Sequence, residues 1–124
     1  MVALKRICVI NETKKTVVAT NVVRAETFLQ RLFGLMLKPD LRHGEGLLLE
    51  PCNGIHTCFM RFPIDAVFLN GNWQVVSIRR ALKPWRFVPF VAGAQLVLEL
   101  PAGETLPSSV EPGDFLTPRP QGHC

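Results

Sequence analysis

Cys52, His56 and Cys58 bring two thiols and an imidazole within seven residues, in the spacing Cys-x3-His-x-Cys. Sulfur and imidazole are the soft donors that suit zinc. Alternate residues of a strand share a face, so a strand through this stretch would set His56 beside Cys58. Asp65 or His43 could complete four ligands. The same residues could serve nucleophilic catalysis, with a Cys52 or Cys58 thiolate, His56 as base and Asp65 to orient it. The spacing matches no established zinc or nucleophile pattern. Against both stands a plain structural role as buried thiols and a hydrogen-bonded histidine.

A second group is Arg31, Asp65 and Glu99. Asp65 lies within Pro63-Ile64-Asp65-Ala66-Val67 and Glu99 within Leu98-Glu99-Leu100, where an unpaired carboxylate would be costly. The planar guanidinium of Arg31 could satisfy either acid. The expected outcome is an ion pair that pins a helix to a sheet. The alternative is a polar pocket in which Arg31, His56, Asp65 and Glu99 bind a small polar ligand.

A third group is basic and aromatic: Arg79, Arg80, Lys83 and Arg86 interleave with Trp85 and Phe87. Nucleic acid would want such a surface, but the run reads more simply as a strand end entering a solvated loop. Trp85, Phe87, Val88 and Phe90 on that Pro-bounded loop are either folded onto the core or a contact surface.

These side chains need a scaffold, and 124 residues with 48% hydrophobic and 19% charged content make one domain with a real core. No apolar run approaches the roughly 18 residues of a membrane span. The first ten residues, MVALKRICVI, lack the basic-then-apolar order of an export signal. The reading is therefore a cytoplasmic protein with four free thiols (Cys8, Cys52, Cys58 and Cys124), the last on a flexible tail.

Strands are expected over Leu4–Ile10 and Thr16–Val23, paired as a hairpin, then over Gly46–Glu50, Ile55–Met60, Ile64–Leu69, Trp73–Leu82, Ala94–Leu100 and Phe115–Thr117. Asn70-Gly71 predicts a type I′ turn. Between Ala25 and Met36 the apolar spacing becomes helical. Thr27 and Gln30 form a capping box, and Gly34 suits the positive φ that ends a helix, so a short helix runs from Phe28 to Phe33. The fold class is mainly β: an antiparallel β-sandwich or partly open barrel, with one short α-helix near residues 27–34. The β domain occupies 1–118, followed by a flexible tail, 119–124.

Several short pieces recur in one order: Arg31-Leu32-Phe33-Gly34-Leu35-Met36, Gly44-Glu45-Gly46-Leu47, Ile55-His56-Thr57, Pro63-Ile64-Asp65-Ala66-Val67-Phe68-Leu69, Leu98-Glu99-Leu100-Pro101-Ala102-Gly103 and Pro112-Gly113-Asp114. With Met60, they make the chain resemble the domain-of-unknown-function family 192. The resemblance implies a mainly β, sandwich-like domain of bacterial or archaeal type and implies no activity. Family members often carry a longer helix before the Gly113-Asp114 motif, where Leu106-Pro107-Ser108-Ser109 is too broken for one. Many also carry an export or lipid signal.

Together these readings describe a monomeric or weakly self-associating binding module for a small polar ligand or a partner protein near Arg31, His56 and Asp65, with no cofactor. The alternative is a hydrolase or transferase using a Cys/His group or a zinc ion at Cys52, His56 and Cys58.

Overall fold

The computed structural model describes residues 5–36 and 38–124; the expected start of the first strand at Leu4 and the side chains of Phe28, Leu29 and Leu32 lie outside that description. Its elements run β1 (Arg6–Asn11), β2 (Thr16–Ala25), α1 (Phe28–Phe33), β3 (Glu45–Leu49), β4 (Ile55–His56), β5 (Ile64–Leu69), β6 (Val75–Leu82), β7 (Phe87–Val88), β8 (Leu96–Pro101) and β9 (Leu116–Pro120). Seven strands form one sheet in the order β6-β5-β8-β3-β2-β1-β9, and β4 pairs with β7 in a separate ribbon. Among the described residues no helix is long and apolar enough to cross a membrane.

The sheet curls into a half-barrel, the second of the two architectures expected. Its edges meet at one end through a Gln74–Phe115 bridge. There the Val75 N–H donates to the Asp114 carbonyl at 2.8 Å, and the Leu116 N–H to that of Trp73 at 2.9 Å. The sheet is not wholly antiparallel: β2 and β3 pair in parallel, Asn21 opposite Glu45 through Ala25 opposite Leu49. The reason is α1, since a helix between two strands returns the chain to the end at which it started.

Alternation of side chains divides the core in two. Leu48, Val67, Leu69, Leu96, Leu98 and Leu100 face one cluster, and Leu47, Leu49, Ala66, Phe68 and Val97 face the other. The central strands β5 and β8 are covered on both faces, which is why they read as nearly continuous apolar runs.

Local signals fold as expected around α1. The Gln30 N–H donates to the Thr27 hydroxyl at 3.1 Å, and the Thr27 N–H to the Gln30 amide oxygen at 3.1 Å. Gly34 follows with φ 40° and ψ −115°, its N–H on the Gln30 carbonyl. The sign of φ is as expected, but ψ lies outside the left-handed helical basin, a combination that suits glycine alone.

Other local readings need correction. The β5–β6 turn is not type I′, because positive φ falls on Trp73 (62°) and not on Asn70 or Gly71. The Asn70 side-chain oxygen accepts from the Asn72 and Gln74 N–H groups, which makes a type I turn followed by one left-handed residue. The last strand reaches Pro120, two residues into the expected tail, because β9 pairs with β1 up to Ile7–Pro120. A further turn places the His123 N–H on the Pro120 carbonyl at 3.0 Å. The chain end thereby returns to β1, and Cys8 and Cys124 form a disulfide. Four free thiols are therefore not found; Cys52 and Cys58 are the free pair. The segment at Leu106–Val110 makes one turn only, with the Val110 N–H on the Leu106 carbonyl.

Candidate functional site

Strand register decides which of the expected site residues meet. Asp65 pairs with Leu100, and Ala66 with Glu99, so the two acids lie on opposite faces of the sheet. Asp65 sits on the barrel side and is saturated. One of its oxygens accepts from the Ala81 N–H at 2.8 Å; the other accepts from the Gly103 N–H (3.1 Å), the Thr105 N–H (3.0 Å) and the Thr105 hydroxyl (2.7 Å). It binds β5 to the end of β6 and to the turn after β8.

Glu99 faces the other cluster, beneath the end of α1. It is 3% exposed and has no hydrogen-bond partner among the described residues. Burial alone pushes its carboxyl up to about 8, so at neutral pH it is an uncharged acid. It borders a cavity of about 20 Å³ that Phe33, Gly34, Met36, His56 and Met60 also line. That is room for one water-sized group. His56 and Glu99 are thus brought to one place.

Arg31 does not join them. Its Nη1 donates to the Glu26 carbonyl at 2.6 Å and reaches the Glu50 carbonyl at 3.4 Å, and it forms no ion pair with Asp65 or Glu99. Arg31 does hold the helix to the end of β3, but through backbone oxygens. Glu50 itself pairs with Arg24 at 2.7 Å.

The Cys/His group also comes apart. The fourth strand ends at His56 and not at Met60, so alternation cannot place Cys58 beside the ring. Instead the Cys58 N–H donates to His56 Nδ1 at 3.2 Å, which leaves Nε2 as the protonated nitrogen of the neutral imidazole. The Cys52 thiol donates to the Gly54 carbonyl at 2.9 Å. Its pKa is raised, chiefly by burial, against the lowering effect of that bond, the reverse of what a thiolate nucleophile needs. Among the described residues no three His, Cys, Asp or Glu side chains converge as a metal-ligand set. His43 is taken by Glu104 at 2.6 Å.

Thr57 shows a feature that the sequence did not signal. It is fully buried and ties the turn after β4 to the turn before β7. Its hydroxyl donates to the Lys83 carbonyl (2.7 Å) and accepts from the Arg86 N–H (2.8 Å), while its own N–H donates to the Arg86 carbonyl (2.9 Å) and its carbonyl accepts from the Trp85 N–H (3.0 Å). The clamp holds Phe59 at φ 64° and Trp85 at φ 63°, a conformation disfavoured for aromatic residues. Their rings touch, with centroids 4.7 Å apart, and remain half or more exposed, as do Phe87 (71%) and Phe90. Val88 alone of this loop's apolar group turns inward. The basic run divides: Arg80 is bound to the Thr105 and Val110 carbonyls, while Lys83 and Arg86 are exposed beside the rings.

Comparison with known proteins agrees with the resemblance read from the motifs. Residues 9–118 match the model of DUF192, described as Uncharacterized ACR. The chain is 37% identical over 109 residues to a UPF0127 protein of Thermococcus sibiricus, covering 85% of this chain and 70% of the relative. A UPF0127 protein of Pyrococcus furiosus is 39% identical over 110 residues, covering 86% and 94%. The fold is similar to the crystal structure of a protein of unknown function from Novosphingobium aromaticivorans, with a TM-score of 0.78 at 20% identity, covering 92% of this chain and 84% of that one.

Proposed function

The chain belongs to the domain-of-unknown-function family 192, and we propose that it is a binding module whose aromatic face, Phe59, Trp85, Phe87 and Phe90, docks a partner protein. The observation that carries this reading is the Thr57 clamp. Positive φ at a non-glycine residue costs on the order of 1 kcal/mol or more and persists where surrounding structure enforces it. Here two such residues stand side by side, and the strain holds aromatic rings out in water. Large exposed aromatic groups of this kind form the anchors of protein interfaces. Lys83 and Arg86 at the rim favour an acidic partner surface.

The hydrolase or transferase alternative needs a thiolate–imidazole pair or a metal set, and the separation of Cys52, His56 and Cys58 favours binding. The cytoplasmic placement came from the first ten residues and carried the expectation of free thiols with it. The bonded Cys8–Cys124 pair speaks against it, because such bonds persist in oxidising compartments.

The test is a photo-crosslinking amino acid placed at Phe87 in the native host, with Phe115, exposed on the other side of the sheet's closure, as the control position. A discrete adduct from position 87, absent in a Phe59→Ala, Trp85→Ala background, is expected. Equal yields from both positions, or none from 87, would overturn the reading.

A further inference from the structure

We propose that the Glu99 cavity is a binding subsite for a primary ammonium group, the head of a small amine whose body rests outside on Phe33. This rests on the cavity alone and is independent of the aromatic face. Buried polar groups are nearly always hydrogen-bonded, yet Glu99 is 3% exposed and borders a cavity with no partner among the described residues. A volume of about 20 Å³ admits a group the size of water and nothing larger, so an occupant enters head first.

The lining chooses the head's chemistry. Besides the carboxyl and His56, the cavity is lined by Phe33, Gly34, Met36, Met60 and the aliphatic Leu35, Leu49 and Ile55. A β-carbon built on Gly34 would stand 3.5 Å from the Arg31 carbonyl and 3.9 Å from Glu99 Oε1, so acid and helix end border the same space. Among the groups at this space the carboxyl, the Arg31 carbonyl and the thioethers are acceptors and the Phe33 ring is electron-rich, which suits a cation that carries N–H donors, while His56 Nε2 adds an N–H of its own. The nearest guanidinium, Arg31, is committed to the Glu26 and Glu50 carbonyls. His56 and Glu99 are the titratable groups of the lining, and His56 Nδ1 already accepts from the Cys58 N–H. Phe33, 55% exposed, offers an apolar seat at the mouth. On binding, Glu99 gives its proton to solvent and the ammonium takes its place, so a neutral acid becomes a paired carboxylate.

The experiment follows the Glu99 side-chain carboxyl carbon by NMR in glutamate-labelled protein at neutral pH, during titration with n-butylammonium chloride. Tetramethylammonium chloride and n-butanol are the controls, the first a cation without donors and the second a donor without charge. A saturable shift of the Glu99 signal to its ionised position with butylammonium alone is expected, with affinity falling about tenfold to a hundredfold in Glu99→Gln. A Glu99 signal that does not move, or moves equally with tetramethylammonium, would overturn the proposal and leave water as the occupant. The wild-type signal decides the matter even where Glu99→Gln fails to fold. The aromatic face takes no part in this titration, so either reading can fail without the other.

Discussion

Asp65 and Glu99 stand on adjacent strands, each embedded in apolar sequence and each almost fully buried, yet their surroundings are opposites. Asp65 accepts from three backbone N–H groups and a hydroxyl, and its charge is part of the scaffold. Glu99 accepts no hydrogen bond from the described residues and is held neutral by burial. The difference follows from what covers each face of the sheet. On the barrel side the turn at Gly103–Thr105 folds over β5 and brings its N–H groups to Asp65. On the other side α1 ends, and its terminus presents carbonyls rather than donors. A buried carboxylate wrapped in donors is a joint. A buried acid beside a cavity with nothing to bind is a candidate site.

The contrast is broken most forcefully at Asp65. Asp65→Ala leaves the Ala81, Gly103 and Thr105 donors without their acceptor, and a loss of roughly 3 to 5 kcal/mol in chemical denaturation is expected. A loss below about 1 kcal/mol would show that Asp65 is no joint.

Glu99 sharpens the comparison through pH. Its folded pKa is raised from 4.5 to about 8, so between these values the folded protein keeps a proton that the unfolded chain has released. Its contribution to stability is therefore intact below pH 4.5, declines as pH rises through this window, and is lost above about 8. The loss is roughly 5 kcal/mol. Glu99→Gln should flatten that decline in denaturation curves taken across the window. An unchanged profile would mean that the acid is paired after all.

The smallest effect concerns Arg31. Arg31→Met should cost about 1 kcal/mol, for its two carbonyl contacts, and its effect should add to that of Glu99→Gln within about 0.5 kcal/mol. A coupling of about 2 kcal/mol or more would restore the ion pair that the sequence suggested.

Much of the scaffold was legible in the chain. Thr27, Gln30 and Gly34 specify α1 because a capping box and a helix end are contacts across a few residues, written directly in residue type. The apolar runs at Ile64–Leu69 and Leu96–Leu100 announce doubly covered strands for the same local reason. The Asn70-Gly71 turn was correctly located, but its type was not, because the Asn70 side chain selects a backbone path that the dipeptide alone leaves open.

The site was legible as a set of residues but not as an arrangement. Sequence pointed to His56 and Glu99 as polar groups in apolar surroundings, and equally to Arg31, Asp65 and the cysteines. Sorting them required the register that sets Glu99 opposite Ala66 and Asp65 opposite Leu100, pairs 33 and 35 positions apart in the chain. It also required the Thr57 clamp, which joins turns 26 to 29 residues apart, and the return of β9 to β1, which brings Cys124 to Cys8 across 116 residues. Side-chain type and short-range spacing settle which residues start a helix, stop it or need a partner. Which partner each receives depends on strand pairing, where a slip of one residue exchanges the two faces of the sheet, and that pairing belongs to the packed chain as a whole.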